Sequence, residues 1–213
     1  MIFTETALPG AYTIDLAPAE DERGFFARTF CRREFEAHGL DGTFVQCNLS
    51  YNRTCGTLRG MHYQAPPHEE AKVVTCLRGA IFDVIIDLRP GSRTFRAWTA
   101  MELTDRNRRM LYVPRGFAHG FQTLADDTEV FYLMSAFYDP ESARGVRWDD
   151  PAFGIAWPET NRRIVSDRDE AYPLFEETQY NSACSRIEAI GNGTAAEDVI
   201  GAATVSVLRE TED

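Results

Sequence analysis

No stretch of this chain stays apolar for the roughly 18 to 20 residues that a membrane-spanning helix needs. The opening MIFTETALPGAY has neither the basic flank nor the apolar run of a secretory signal. The sequence therefore reads as that of a cytoplasmic protein. Its five cysteines (Cys31, Cys47, Cys55, Cys76, Cys184) are odd in number and form no CxxC pair. Reduced cysteines, used partly as small apolar side chains, account for them better than disulfides or zinc. Positive charge is scarce as well: 22 Lys and Arg stand against 33 Asp and Glu, a formal −11. That argues against a broad surface for nucleic acid or anionic membrane, so an anionic ligand must be held by a local basic pocket. No internal repeat or low-complexity linker divides the body of the chain.

What is present fits one domain with an appendage. The 213 residues are 44% hydrophobic and 26% charged, ordinary for a globular chain. From Glu176 onward eight acidic residues face only Arg186 and Arg209, and no aromatic follows Tyr180. We expect a folded domain over 1–175 and an acidic tail over 176–213, partly disordered or weakly packed.

Between them the pattern is β. Ile2 to Leu16 alternates loosely, as one or two short strands would, and DERGFF places a turn at Arg23-Gly24 before an aromatic strand. CRREFEAHGL suggests one short helix ended by Gly39. TFVQCNLSYN, the strand around GMHYQ, AKVVTCL, AIFDVIIDL, RTFRAWTAMEL, RRMLYVP, HGFQTLA and TEVFYLMSAFY then give about eight closely spaced strands. The Arg78-Gly79 pair between AKVVTCL and AIFDVIIDL reads as a compact hairpin. The expected fold is all-β, an antiparallel jelly roll or β-sandwich with a few short helices.

The stretch from Gly56 to Lys72, GTLRGMHYQAPPHEEAK, gathers Arg59, His62 and Lys72, three groups suited to an anionic, proton-labile substrate. Strict alternation puts Arg59, Met61 and Tyr63 on one face, with Gly60, His62 and Gln64 on the other. Pro66-Pro67 ends this strand, because proline cannot donate to a ladder. The returning strand carries Lys72 at its start. Of the four histidines, His38 reads as a solvated or capping residue and His68 as an exposed loop residue. His62 and His119 each lie beside glycines that permit close approach.

PRGFAHGF has the Pro-x-Gly-x-x-His spacing of the second cupin motif, and GMHYQ stands at the place of the first. Metal-binding cupins usually carry His-x-His there, and here the second position is Gln64. His62, His119 and Glu69 or Glu70 could still hold iron or zinc, but Lys72 in the same pocket would oppose a divalent cation.

RGMHYQAPPHEEAK, RGAIFDVIIDLRPGS, LYVPRGFAHGFQTL, EVFYLMSAFY and GVRWDDPAFGIAWP, in that order, resemble the dTDP-4-dehydrorhamnose 3,5-epimerase family, and the likeness spans residues 1 to 175. The resemblance implies a cupin-type fold, no cofactor and no metal, and a homodimer in which an N-terminal strand crosses to the partner sheet. It also implies roles. His62 resembles the catalytic base, Asp169 its paired carboxylate, Tyr132 the general acid on the opposite face, and Lys72 an enolate-stabilising lysine. Arg23, Gln46, Asn48, Arg59 and His119 match nucleotide-sugar positions, Tyr138 matches the tyrosine stacking on the base, and Arg168 stands where many members carry lysine. Arg28 and Ala143 depart from the family, standing where many members carry glutamates that help bind the nucleotide.

The residue types suit the implied chemistry. A 4-keto sugar has acidic hydrogens on the carbons flanking its ketone. Inverting such a carbon needs a base on one face, an acid on the other, and a cation or donor at the enolate oxygen. The expected function is epimerisation of a dTDP-4-keto-6-deoxyhexose at both flanking carbons. Alternatives are a single-site epimerase, a metal-dependent cupin oxygenase using His62, His119 and a glutamate, and a non-catalytic sugar-nucleotide-binding cupin.

Overall fold

The computed structural model describes residues 1–176, so the acidic tail lies outside the described residues but for Glu176. In chain order the elements are β1 (Ile2–Glu5), β2 (Tyr12–Asp15), β3 (Ala19–Asp21), β4 (Gly24–Phe26), α1 (Arg32–Ala37), β5 (Gln46–Asn52), β6 (Leu58–Gln64) and β7 (Lys72–Arg78). They continue with β8 (Ala80–Asp87), β9 (Trp98–Thr104), β10 (Met110–Val113), β11 (Phe117–Thr123), β12 (Thr128–Met134), β13 (Ala143–Gly145) and α2 (Asp167–Glu170). The eight strands expected for the body are β5 to β12.

Two antiparallel sheets form a sandwich. One runs β1-β2-β10-β7-β12-β5 and the other β13-β6-β11-β8-β9. From β5 to β8 the chain changes sheet at every step, and it does so again from β9 to β12. This corrects the hairpin expected at Arg78-Gly79. β7 pairs with β10 and β12, while β8 pairs with β11 and β9, so the short link carries the chain between sheets. Gly79 makes the crossing at φ +79, where an added Cβ would lie 2.5 Å from Thr128 Oγ1. A turn dipeptide signals a reversal, but not whether the next strand returns beside the last or above it.

Alternation sorts the side chains into three layers. Val74, Cys76, Ile81, Ile85, Leu111, Phe121 and Val130 pack between the sheets. On the outer face of the six-stranded sheet, Phe35 of α1 packs with Ile14, Val73, Met110 and Tyr112. The outer face of the other sheet is covered by the segment after β13, where Phe153 and Val146 meet Met61, Val84 and Ile86. At one end the inter-sheet core gives way to polar groups. The inward positions read Val130, Tyr132, Met134 along β12 and Cys76, Val74, Lys72 along β7. A cleft opens where those series turn from apolar to reactive.

Candidate active site

The cleft is lined from both sheets, in two connected lobes of about 350 and 370 Å³ that share His62, Lys72 and Tyr132. One sheet supplies Gln46 and Asn48 from β5, Lys72 from β7 and Tyr132 from β12. Tyr132 stands in register with Asn48, and Met134 with both Gln46 and Lys72. The other sheet supplies His62 from β6 opposite His119 from β11.

A bulge in β6 decides which residues meet there. Between the His119–His62 and Phe121–Arg59 pairs, β11 advances two residues and β6 three. Strict alternation would separate Arg59 from His62, but the extra residue brings both to the cleft wall and sends Met61 into the outer core. The expected faces are corrected accordingly. Gly120 makes room for the bulge: a Cβ there would come within 2.7 Å of the Arg59 carbonyl oxygen.

His62 Nε2 lies 2.8 Å from Asp169 Oδ1, and Asp169 Oδ2 accepts from the Gly60 amide at 3.1 Å. α2 presents this carboxylate because Ser166 caps the helix, accepting from the Asp169 amide at 3.2 Å. The His62 side chain is 42% exposed and that of Asp169 only 6%. Burial pushes the Asp169 carboxyl up, but hydrogen bonding and charge from His62, with the Gly60 amide and Ser166, outweigh it and hold the group below the usual carboxylate range. A carboxylate only accepts, so Nε2 carries a hydrogen, and a lone pair available for proton abstraction would be the one on Nδ1.

On the facing wall, burial pushes the Tyr132 hydroxyl up, partly opposed by Arg59. Tyr132 therefore keeps its proton near neutral pH. Lys72 Nζ meets Glu70 Oε1 at 3.0 Å and donates to the His62 carbonyl at 3.2 Å. His119 Nε2 lies 2.8 Å from Asp83 Oδ1. Arg59 is aimed by Asn52, whose Oδ1 accepts from Nε at 2.7 Å. At the other end Gln46 Oε1 accepts from the Tyr138 amide at 3.2 Å. The hydroxyls of Tyr138 and, to a lesser degree, Tyr172 beside Arg168 raise its guanidinium.

Ten of the eleven expected site residues thus take part in this cleft: His62, Lys72, Tyr132, Gln46, Asn48, Arg59, His119, Tyr138 and Arg168 line it, and Asp169 supports it from behind. Arg23 does not. It sits between β3 and β4 with its side chain 89% exposed, paired to Asp21. Ala143 lines the cleft, whereas Arg28 lies outside it, paired with Glu34 at 2.8 Å. The alternative metal set is not assembled. His62, His119 and Glu70 each hold a different partner, and no three His, Cys, Asp or Glu side chains gather among the described residues.

Sequence reasoning missed Asn52, Asp83, Tyr172 and the Glu70 contact. Asp83 had a visible signal, an acid inside the apolar run AIFDVIID, which a strand buries only with a partner. Tyr172, edge-on to His62 with ring centroids 5.8 Å apart, had none.

A cupin-type sandwich with an imidazole–carboxylate dyad on one wall and a protonated tyrosine on the other is the build of an isomerase that works by proton transfer. The family model for dTDP-4-dehydrorhamnose 3,5-epimerase matches residues 5–177. The dTDP-4-dehydrorhamnose 3,5-epimerase of Sinorhizobium fredii is 44% identical over 153 residues, 72% of this chain and 78% of that one. Among solved structures, the dTDP-4-dehydrorhamnose 3,5-epimerase of Elizabethkingia anophelis superposes with a TM-score of 0.80 at 40% identity, covering 82% of this chain and 96% of that one. The dTDP-6-deoxy-D-glucose-3,5-epimerase of Legionella pneumophila, solved with dTDP-4-keto-L-rhamnose, gives 0.78 at 34% identity, covering 84% and 96%. The chain belongs to the dTDP-4-dehydrorhamnose 3,5-epimerase family.

Proposed function

We propose that this protein inverts both carbons flanking the ketone of a dTDP-4-keto-6-deoxyhexose, without a cofactor. The observation that carries the reading is the placement of the His62–Asp169 dyad and Tyr132 on opposite walls of one cleft. His62 takes the carbon-bound proton, and the electron pair passes to the ketone oxygen as an enolate. Lys72 stabilises that oxygen. Tyr132 then protonates the carbon from the far face, leaving it inverted. Asp169 holds the imidazole in its productive tautomer and supports the imidazolium that forms. Arg59 and His119 serve the diphosphate and sugar, Gln46, Asn48 and Arg168 the nucleotide end, and Tyr138 stacks on the base.

Arg23 enters this scheme through a second copy of the chain. The β3–β4 hairpin joins neither main sheet and exposes Phe26 at 78%, and β1 is an edge strand. A homodimer in which the N-terminal region crosses to the partner would cover these groups and could bring Arg23 to the partner's cleft. The deciding experiment for the reaction is incubation with dTDP-4-keto-6-deoxyglucose in deuterated water, followed by NMR of the sugar. Deuterium at both flanking carbons with inversion supports the proposal. Deuterium at one carbon makes it a single-site epimerase, and none defeats it.

A further inference from the structure

Glu70 is buried, lines the cleft beside Lys72, and has no part in the proton transfers above. Its Oε1 meets Lys72 Nζ, with side-chain exposures of 3% for the glutamate and 7% for the lysine. Its Oε2 is shut off from solvent and has no hydrogen-bond partner. A buried carboxylate with an idle oxygen is a costly choice, and a buried ion pair seldom improves on well-packed apolar groups. The pair therefore calls for an explanation other than stability.

The lysine's donors supply one. An ammonium has three N–H groups. One goes to the His62 carbonyl, and the Glu70 carboxylate pairs with the ammonium as an ion pair at 3.0 Å. Both acceptors are rigidly placed. The carbonyl belongs to β6, and Glu70 precedes Ala71, whose amide donates to Ser135 Oγ at 2.8 Å. Two fixed contacts, one a hydrogen bond and one an ion pair, hold the nitrogen in place on the cleft wall and leave it N–H capacity to spare.

We propose that Glu70 is a positioning residue for this reaction: it holds the Lys72 ammonium in place so that its remaining N–H serves the developing enolate oxygen. This rests on the reading of Lys72 given above. Glu70 itself touches no substrate. Without the carboxylate, the ammonium sits buried and half-satisfied on a flexible four-carbon stem, and it swings toward water at the cleft mouth.

The test is steady-state kinetics of E70A, E70Q and K72M with dTDP-4-keto-6-deoxyglucose, alongside dTDP binding. E70A should lower kcat about 10- to 100-fold, with KM and the dTDP Kd within about threefold, because the lost interaction acts on the transition state. E70Q, which keeps the shape and an oxygen beside Nζ but loses the charge, should recover most of that loss and remain about threefold slow. K72M should be at least as slow as E70A. Wild-type kcat in E70A with a slow K72M overturns the role of Glu70, as does a rise in KM that matches the fall in kcat. Wild-type kcat in K72M instead overturns the enolate assignment. Should E70A not fold, E70Q decides: a small loss of kcat at unchanged KM upholds the proposal, and wild-type kcat overturns it.

Discussion

His62 and His119 stand directly opposite each other across the β6–β11 ladder, and each commits one ring nitrogen to its own buried carboxylate. His62 holds Asp169 from a helix near the end of the domain, and His119 holds Asp83 from the neighbouring strand β8. The surroundings differ. The His119 side chain is 9% exposed and that of His62 42%, so only His62 presents a large part of its ring to the cleft. The exposed ring of His62, and not the enclosed ring of His119, suits the base role proposed above.

His62→Ala should abolish exchange of carbon-bound hydrogen with deuterated solvent while nucleotide-sugar affinity stays within a few-fold. Asp169→Asn should slow exchange by about 10² or more, because an amide NH₂ facing Nε2 favours the wrong tautomer. NMR of the sugar and calorimetric binding measure the two effects separately. Wild-type exchange in either variant would remove that residue from the mechanism.

Tyr132→Phe keeps the ring that packs on the inter-sheet core and removes its proton. Deuterium should still wash into the sugar, because His62 and Lys72 remain, but it should return to the original face or stop after one carbon. Full inversion at both carbons at the wild-type rate would show Tyr132 to be a core residue only.

Asp87 predicts a stability profile. It is fully buried, and it accepts from Ser92 Oγ at 2.6 Å, Thr94 Oγ1 at 2.7 Å and Arg89 Nη2 at 2.8 Å. Burial pushes its carboxyl up, but Arg89, Ser92 and Thr94 outweigh that and leave it lowered. Its contribution to stability is therefore whole above the unfolded value near 3.9 and fades as pH falls through the lower folded value. Asp87→Asn should cost about 2 to 4 kcal/mol at pH 7 and flatten the acid limb of stability against pH. Urea unfolding across pH 3 to 7 measures both, and an unchanged acid limb would contradict the assignment.

Gly120→Ala tests the bulge. The new Cβ would meet Met61 Sδ at 2.6 Å and Gly60 Cα at 3.0 Å, besides the Arg59 carbonyl. We expect a loss of about 1 to 3 kcal/mol in thermal unfolding, and weaker dTDP binding because Arg59 leaves the wall. Unchanged melting and binding would mean that the strands accommodate a side chain there.

A dimer should be seen by light scattering at micromolar concentration. Arg23→Ala should weaken dTDP binding without dissociating it. A monomer that binds dTDP normally would end both ideas.

The sequence by itself determined the strands β5 to β12, the short helix near Arg32 and the reactive inventory, but not β13 or α2. Alternation, turn dipeptides and prolines are local signals, and the ordered family blocks imply the roles proposed for His62, Lys72, Tyr132 and Asp169. Three things were decided only by tertiary structure. The Arg78-Gly79 link crosses between sheets, because the next strand's partners, β11 and β9, arrive later in the chain. Arg59 shares a wall with His62 because a bulge, accommodated by a glycine some 60 residues away, breaks the period of two. The acceptors that orient His119 and Arg59 (Asp83 and Asn52) come from other elements of the fold, as does Asp169, which the family resemblance alone had paired with His62. Such pairings depend on how two sheets stack and how a late helix docks on one of them, and spacing along a chain carries no record of either.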